Sequence, residues 1–186
     1  SYVMKNNVEI YGGFVGTETK LDERVSGNET ILTTTGAYVF YNNYSSSNKL
    51  ESTASLDSVT ITGADSYGIY NYYSSPTITN CTIAANDTGI YNDNSGPTIT
   101  NCTISGNGGY GISNDGSSSP IITNCIIWGN SSQGIYNSSS SSAPSVSYCV
   151  IEGGYSGGTN IITEDPLLGK LGNYGGFLDT IILLKG

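Results

Sequence analysis

The chain contains no histidine, and it has only six lysines and arginines against fifteen aspartates and glutamates, for a formal net charge of −9. Binding to nucleic acid needs clustered cations to neutralise phosphate, so this charge balance excludes nucleic acid as a partner. The cations also sit at the two ends. Lys5, Lys20, Arg24 and Lys49 come early, Lys170 and Lys185 come late, and none falls between residues 50 and 169, so no basic stripe forms. Long apolar runs are missing too: no stretch approaches the ~20 residues of a membrane-spanning helix. Ser1 is not followed by the charged and apolar regions of a secretory leader, so the chain is expected to be a processed mature form or a piece of something longer. Charged residues make up only 11% and hydrophobic ones 37% of the 186 residues, enough for one domain with a thin core. Solubility therefore rests on Ser, Thr, Asn, Gly and Tyr, a composition that favours strands and turns and suits a secreted, extracellular or cell-surface setting.

What the chain does have is self-similarity. SPTITNCTIAANDTGIYNDNS (75–95) is followed by GPTITNCTISGNGGYGISNDGSS (96–118), then SPIITNCIIWGNSSQGIYNSSSSSA (119–143), then the degenerating PSVSYCVIEGGYSGGTN (144–160), with a fainter copy from Ala54. Four columns align across the copies. One holds Leu56, Ile78, Ile99, Ile122 and Val146, each between polar residues, which is the period-two pattern of a half-buried strand. A second holds Val59, Cys81, Cys102, Cys125 and Cys149, a third Ile61, Ile83, Ile104, Ile127 and Ile151, and a fourth Ile69, Ile90, Ile112 and Ile135, each preceded by Gly.

Between the first and second columns the alternation slips at Asn80, Asn101 and Asn124, so the chain must bend there, and Asn tolerates the left-handed conformation best among residues with a side chain. Each coil reads as two short strands meeting at this Asn corner, a Gly-Asn turn such as Gly106-Asn107 or Gly129-Asn130, and a third strand around Gly-Ile-Tyr-Asn. The expected fold is all-β, a right-handed parallel β-helix with three-strand coils of about 21–25 residues. The inserts Tyr91 to Gly96, Ser113 to Ser119 and Tyr136 to Ala143 lengthen at one corner, which alone is expected to accept insertion. Three segments follow: N-terminal coils with a longer charged loop (1–49), regular repeats (50–163), and an apolar C-terminal tail (164–186).

Four motifs carry a resemblance: Ile10-Tyr11-Gly12-Gly13-Phe14 with Gly16-Thr17-Glu18, the Pro-x-Ile-x-Asn-Cys-x-Ile coil, Asp165-Pro166-Leu167, and Gly172-Asn173-Tyr174-Gly175-Gly176. Over nearly its whole length the chain resembles bacterial and archaeal adhesin-like surface proteins of the right-handed β-helix, or pectin-lyase-like, superfamily. The resemblance implies that fold and a surface-protein lineage without assigned chemistry. Lyases of the superfamily combine clustered acids at a calcium site with an Arg or Lys base on the strands, and residues 50–169 hold no such base. Its galacturonan hydrolases use neighbouring carboxylates with a histidine, and this chain has neither a histidine nor an Asp-Asp pair. No enzymatic activity and no cofactor are expected.

The remaining candidates each have a plain alternative. Asp93 and Asp115 share a corner where carboxylates and backbone oxygens chelate calcium, but turn chemistry accounts for them more simply, and no metal is expected. The cysteines lie 21, 23 and 24 residues apart, one per coil. Adjacent coils bring their Cα atoms within bridging range, but in-register side chains point in parallel and strain a disulfide, so a stack of buried thiols is the simpler reading. Tyr70, Tyr91 and Tyr136 face outward beside the inward Ile, where they either stack on sugar rings or stabilise the sheet by stacking on one another. Trp128 is a candidate contact at a subunit interface. The Thr-x-Thr file of Thr77/Thr79, Thr98/Thr100, Thr123 and Ser145/Ser147 resembles an ice-binding array, although Thr is simply favoured at exposed strand positions. Of seven Asn-x-Ser/Thr sequons, Asn80 and Asn101 are expected to be shielded at corners, and Asn86, Asn130 and Asn137 to lie in turns open to glycan.

Raw solenoid ends drive association unless they are capped. Ile181, Ile182, Leu183 and Leu184 form an apolar strand with nothing after it to cover it. The function expected is a non-catalytic, self-associating extracellular protein, a filament subunit or adhesin module. Its copies would assemble through β-helix ends or by donation of this strand. The alternative is a carbohydrate-binding module that recognises cell-surface glycans, and a remote one is an ice-binding solenoid.

Overall fold

The structure is a computed structural model that describes residues 1–25, 27–172 and 180–183, with side chains up to residue 167. Three parallel sheets wrap one core. The first stacks Glu9–Tyr11, Ser55–Asp57, Thr77–Thr79, Thr98–Thr100, Ile121–Thr123 and Ser145–Ser147. The second runs Ile31–Thr33, Thr60–Thr62, Thr82–Ala84, Thr103–Ser105, Ile126–Trp128 and Val150–Ile151. The third runs Tyr38–Asn43, Tyr67–Tyr72, Thr88–Asp93, Ile112–Asp115 and Ile135–Asn137. This is the right-handed parallel β-helix expected from the repeats.

The columns hold in register. Leu56 pairs with Ile78, Ile78 with Ile99, Ile99 with Ile122 and Ile122 with Val146, so each coil places the same residue type one strand spacing above the last. These side chains and those of the other three columns form one buried core, joined at the N-terminal end by Met4, Val39, Phe40 and Leu50. Burying a row of β-branched side chains is the main favourable contribution in so thin a fold, at roughly 1.5–3 kcal/mol for each.

Two backbone requirements explain the repeated small and amide residues. At the corner between the first and second sheets, Ser58, Asn80, Asn101, Asn124 and Tyr148 all have φ between 53° and 58°, the left-handed region that Asn tolerates best. At the corner between the second and third, the same conformation falls to Gly63, Ala85, Gly106, Gly129 and Gly153. The Gly before each Ile of the fourth column has a different cause. A Cβ on Gly89 would lie 2.6 Å from the carbonyl oxygen of Gly111, and one on Gly111 would lie 2.6 Å from that of Gly134. Adjacent coils touch backbone to backbone there.

Polar ladders line the interior as well. Asn42, Asn71, Asn92 and Asn114 are fully buried, and each donates its Nδ2 to the Oδ1 of the next at 3.0 Å, ending on Asn137. The backbone N–H of Met4 donates to Asn42 at one end, and Asn137 donates to the Tyr155 hydroxyl at the other. A second amide ladder joins Asn86, Asn107 and Asn130, whose Nδ2 groups also reach the carbonyls of Ile61, Ile83 and Ile104. A third joins Ser74, Ser95 and Ser118 through backbone N–H to hydroxyl bonds. A buried polar group left unpaired costs about 1–3 kcal/mol, so these ladders are a condition of closing the coil.

Insertion is not confined to one corner. The third-to-first corner carries the lengthening inserts, as expected, but the first coil also leaves its path between Tyr11 and Ile31, at the first-to-second corner, through a short 3-10 turn at Leu21–Glu23. The tail differs from expectation too. Thr180–Leu183 is already paired, antiparallel, with Leu168–Gly172, matching Leu183 to Leu168 and Ile181 to Leu171. The sequence showed the apolar strand of Ile181, Ile182 and Leu183 but not its partner, because Leu168–Gly172 has no period-two signature. Leu184 lies outside the described residues.

Candidate functional site on the tyrosine face

The three outer walls differ in chemistry. Along the first, Thr77, Thr98 and Ile121 occupy one outward column, and Asp57, Thr79, Thr100 and Thr123 another. Along the second, small residues give way toward the C-terminal end to Ile126, Trp128, Val150 and Ile162, with Trp128 half-buried. The third wall is aromatic.

On that wall strand register puts Tyr41, Tyr70 and Tyr91 in one outward column, because each lies one residue beyond an inward Phe or Ile. Their rings stack, with centroids 5.1 Å apart for Tyr41 and Tyr70 and 5.4 Å apart, inclined by 10°, for Tyr70 and Tyr91. Tyr38 and Tyr67, from the neighbouring column, lean onto the same stack, Tyr67 reaching Tyr91 at 4.8 Å. Ser113 interrupts the column, and beyond it Tyr110 stacks on Tyr136 at 4.5 Å and 8°. All seven rings are half-buried. The three expected tyrosines therefore sit on one face, half-buried and each stacked on another tyrosine.

Two carboxylates flank the stack. Asp93 and Asp115, expected from the sequence to lie near one corner, are register partners on adjacent coils. Burial, and then the neighbouring Asp115, push the Asp93 carboxyl above its ordinary value, while the Gly116 backbone N–H, 2.7 Å away, holds Asp115 below its own. The Tyr91 hydroxyl donates to Asp115 at 3.3 Å, and burial followed by Asp115 raises that phenol far above its usual range. Burial raises the Tyr67 and Tyr70 phenols as well. Asn94 donates to Asp93, so turn chemistry does hold this corner. Among the described residues, no three His, Cys, Asp or Glu side chains converge as a metal site.

A second polar cluster lies on the first wall. Arg24, carried in by the excursion, reaches Asp57 at 3.0 Å and lies 5.9 Å from the Tyr11 ring centre, while Asn80 donates to the other Asp57 oxygen. The repeats themselves lack a base, but the strands do not lack one in space. This guanidinium is nonetheless engaged, bonding Asp57 and Ser58 together. A cavity of about 520 Å³ lined by Asn7, Glu9, Tyr11 and Thr53 adjoins the cluster.

The other candidates are placed as follows. Cys81, Cys102, Cys125 and Cys149 form one buried column of free thiols, each Sγ donating to a carbonyl of the preceding coil. Burial pushes the Cys102 thiol well up. The sequon expectations are reversed. Asn86 is only 4% and Asn130 only 7% exposed, because the residue after the left-handed turn points inward and joins the amide ladder. Asn137 is half-buried and gives its Nδ2 to Tyr155, whereas Asn80 and Asn101 are exposed.

A family profile described as "right handed beta helix region" matches residues 39–167 of the chain. No curated protein and no solved structure matches it.

Proposed function

The chain belongs to the right-handed β-helix family, and from that premise and the geometry above we propose that it is a non-catalytic structural module of a secreted or cell-surface protein, built to associate with copies of itself. One observation carries the reading. The outward column that begins at Ile31 runs through Thr60, Thr82, Thr103, Ile126 and Val150 to Ile162, and it exposes an isoleucine at each end, 53% and 52% of the residue. The second sheet's order ends at Ile31–Thr33, and the third sheet's order ends at Ile135–Asn137. Parallel edges of the same polarity at opposite ends are complementary head to tail, and such heterologous contacts propagate rather than close. Trp128 lies beside the Ile126–Val150 end of the column, in place to widen the contact. Filament subunit and adhesin module are the two forms this role takes.

Sedimentation velocity across a concentration series, with negative-stain electron microscopy, tests the reading. The chain is expected to form concentration-dependent end-to-end oligomers, and Ile31→Lys or Ile162→Lys is expected to abolish them while circular dichroism stays unchanged. A monodisperse monomer at every concentration overturns the proposal. Deleting 164–186 separates the contributions: persistence of the oligomers assigns them to the coil ends, and their loss assigns them to the tail strands.

A further inference from the structure

The interior holds a chemistry that the walls and coil ends do not use. Cys81, Cys102, Cys125 and Cys149 are free thiols, each only 1% exposed. They stand directly above one another, because the N–H groups of Thr103, Ile126 and Val150 donate to the carbonyls of Cys81, Cys102 and Cys125 at 2.9 Å. All four side chains take the same orientation. Each Sγ lies 3.1–3.3 Å from the carbonyl oxygen two residues before it, in Thr79, Thr100, Thr123 and Ser147, and 3.6–3.8 Å from one in the preceding coil. Identical placement in successive coils spaces the sulfurs by the strand repeat, ~4.8 Å. That is more than twice the bond of about 2.05 Å in a disulfide, and side chains pointing in parallel do not give the torsion of about 90° that a disulfide needs. The spacing matches instead two collinear metal–thiolate bonds of about 2.3 Å each, the length found with zinc.

We propose that this column binds soft monovalent metal ions of the cuprous or silver type, one in each gap between successive sulfurs. Three features select this ligand. Thiolate sulfur prefers such ions, whereas a structural zinc demands four ligands and each gap supplies two. Each ion that enters sends one thiol proton to solvent, so three ions replace three protons of the four thiols and the buried column stays neutral, without an uncompensated charge in an apolar core. The two middle sulfurs, of Cys102 and Cys125, then bridge two ions each. The departing protons orphan no acceptor, because the carbonyls of Thr79, Thr100, Thr123 and Ser147 already accept the N–H groups of Ser58, Asn80, Asn101 and Asn124.

The test refolds the full chain from urea with silver nitrate in chloride-free buffer, removes loosely held ions by gel filtration and counts the rest by native mass spectrometry. Three silver ions per chain are expected for the four thiols, each with the loss of one proton. Circular dichroism should match that of the metal-free chain, and X-ray absorption should show two sulfur neighbours per silver. Replacing Cys by Val keeps the column filled, as Val59 already fills it at its N-terminal end. Cys81→Val, at the end of the column, removes one gap and should leave two ions, whereas Cys102→Val removes two gaps and should leave one. Equal losses from the two variants, oxygen or nitrogen neighbours at the metal, or loss of the β-sheet signal on loading each overturns the proposal. The ions are counted per chain, so none of these outcomes depends on whether the chain self-associates.

Discussion

Two files of asparagine run along this solenoid and do opposite things. Asn80, Asn101 and Asn124 stand at a corner with left-handed φ and exposed side chains, and their one ladder bond is between Asn101 and Asn80 at 3.2 Å in solvent. Asn71, Asn92 and Asn114 stand in extended strands with buried side chains, each bonded above and below. At the corner the residue is chosen for what its backbone tolerates, and Tyr148 or Ser58 substitutes for it. In the interior it is chosen for a side chain that both donates and accepts along one axis, and no substitute appears from Asn42 to Asn137. The same residue type thus marks a conformational need in one column and a hydrogen-bonding need in the other.

The comparison can be broken most forcibly in the interior. Asn92→Ala removes one rung and leaves the Asn71 donor and the Asn114 acceptor buried and unpaired, so urea unfolding should show a loss of roughly 3–5 kcal/mol. A loss below about 1 kcal/mol would mean that water or a neighbour re-satisfies the ladder. Asn101→Ala at the corner should cost only about 1–2 kcal/mol, the penalty for forcing a Cβ into the left-handed region without the amide's help. Asn101→Gly should recover nearly all of that loss. If Gly fails to rescue, the corner depends on its exposed side-chain bond, and the distinction between the two files narrows.

How much of this was legible follows from which features are periodic. The isoleucine and cysteine columns, the left-handed Asn corner and the Gly before each fourth-column Ile all obey a one-dimensional rule, and the sequence shows them directly. The interior Asn ladder obeyed one too. Asn71, Asn92 and Asn114 each lie two residues beyond an inward isoleucine, so the strand period already turned them inward, and that signal was available unread. Asn86 and Asn130 misled because each follows a left-handed residue, Ala85 or Gly129, which breaks the alternation and reverses the facing of the next side chain. Nothing local announces where an aperiodic excursion lands, and so the docking of Arg24 on Asp57 had no signature in the chain. The tyrosine column was legible, whereas the mutual stacking of its rings required ring orientations.

The excursion offers the smallest effect and sharpens the comparison with a third arrangement, in which carboxylates do what amides do inside. Glu18 accepts the backbone N–H groups of Val15, Gly16 and Thr17 at 2.7–2.9 Å, and Glu23 accepts those of Thr19 and Lys20. The Val15 bond leads in holding the Glu18 carboxyl below its ordinary range, and the Thr19 bond does so for Glu23. A carboxyl with a depressed folded-state value contributes its hold above the unfolded value and loses it as pH falls through the folded one. The amides of Val15, Gly16, Thr17 and Thr19 should therefore titrate in heteronuclear NMR spectra with midpoints below about 4.3, the usual Glu value, while the Asn92 amide stays flat over the same range. Glu18→Gln should abolish the response at residues 15–17 alone. Because both carboxylates are exposed, the global unfolding temperature should barely move through this transition: the strap loosens while the amide ladders, which carry no titrating group, keep the coils closed. A midpoint at or above the ordinary Glu value would show that these backbone bonds do not hold the excursion in solution.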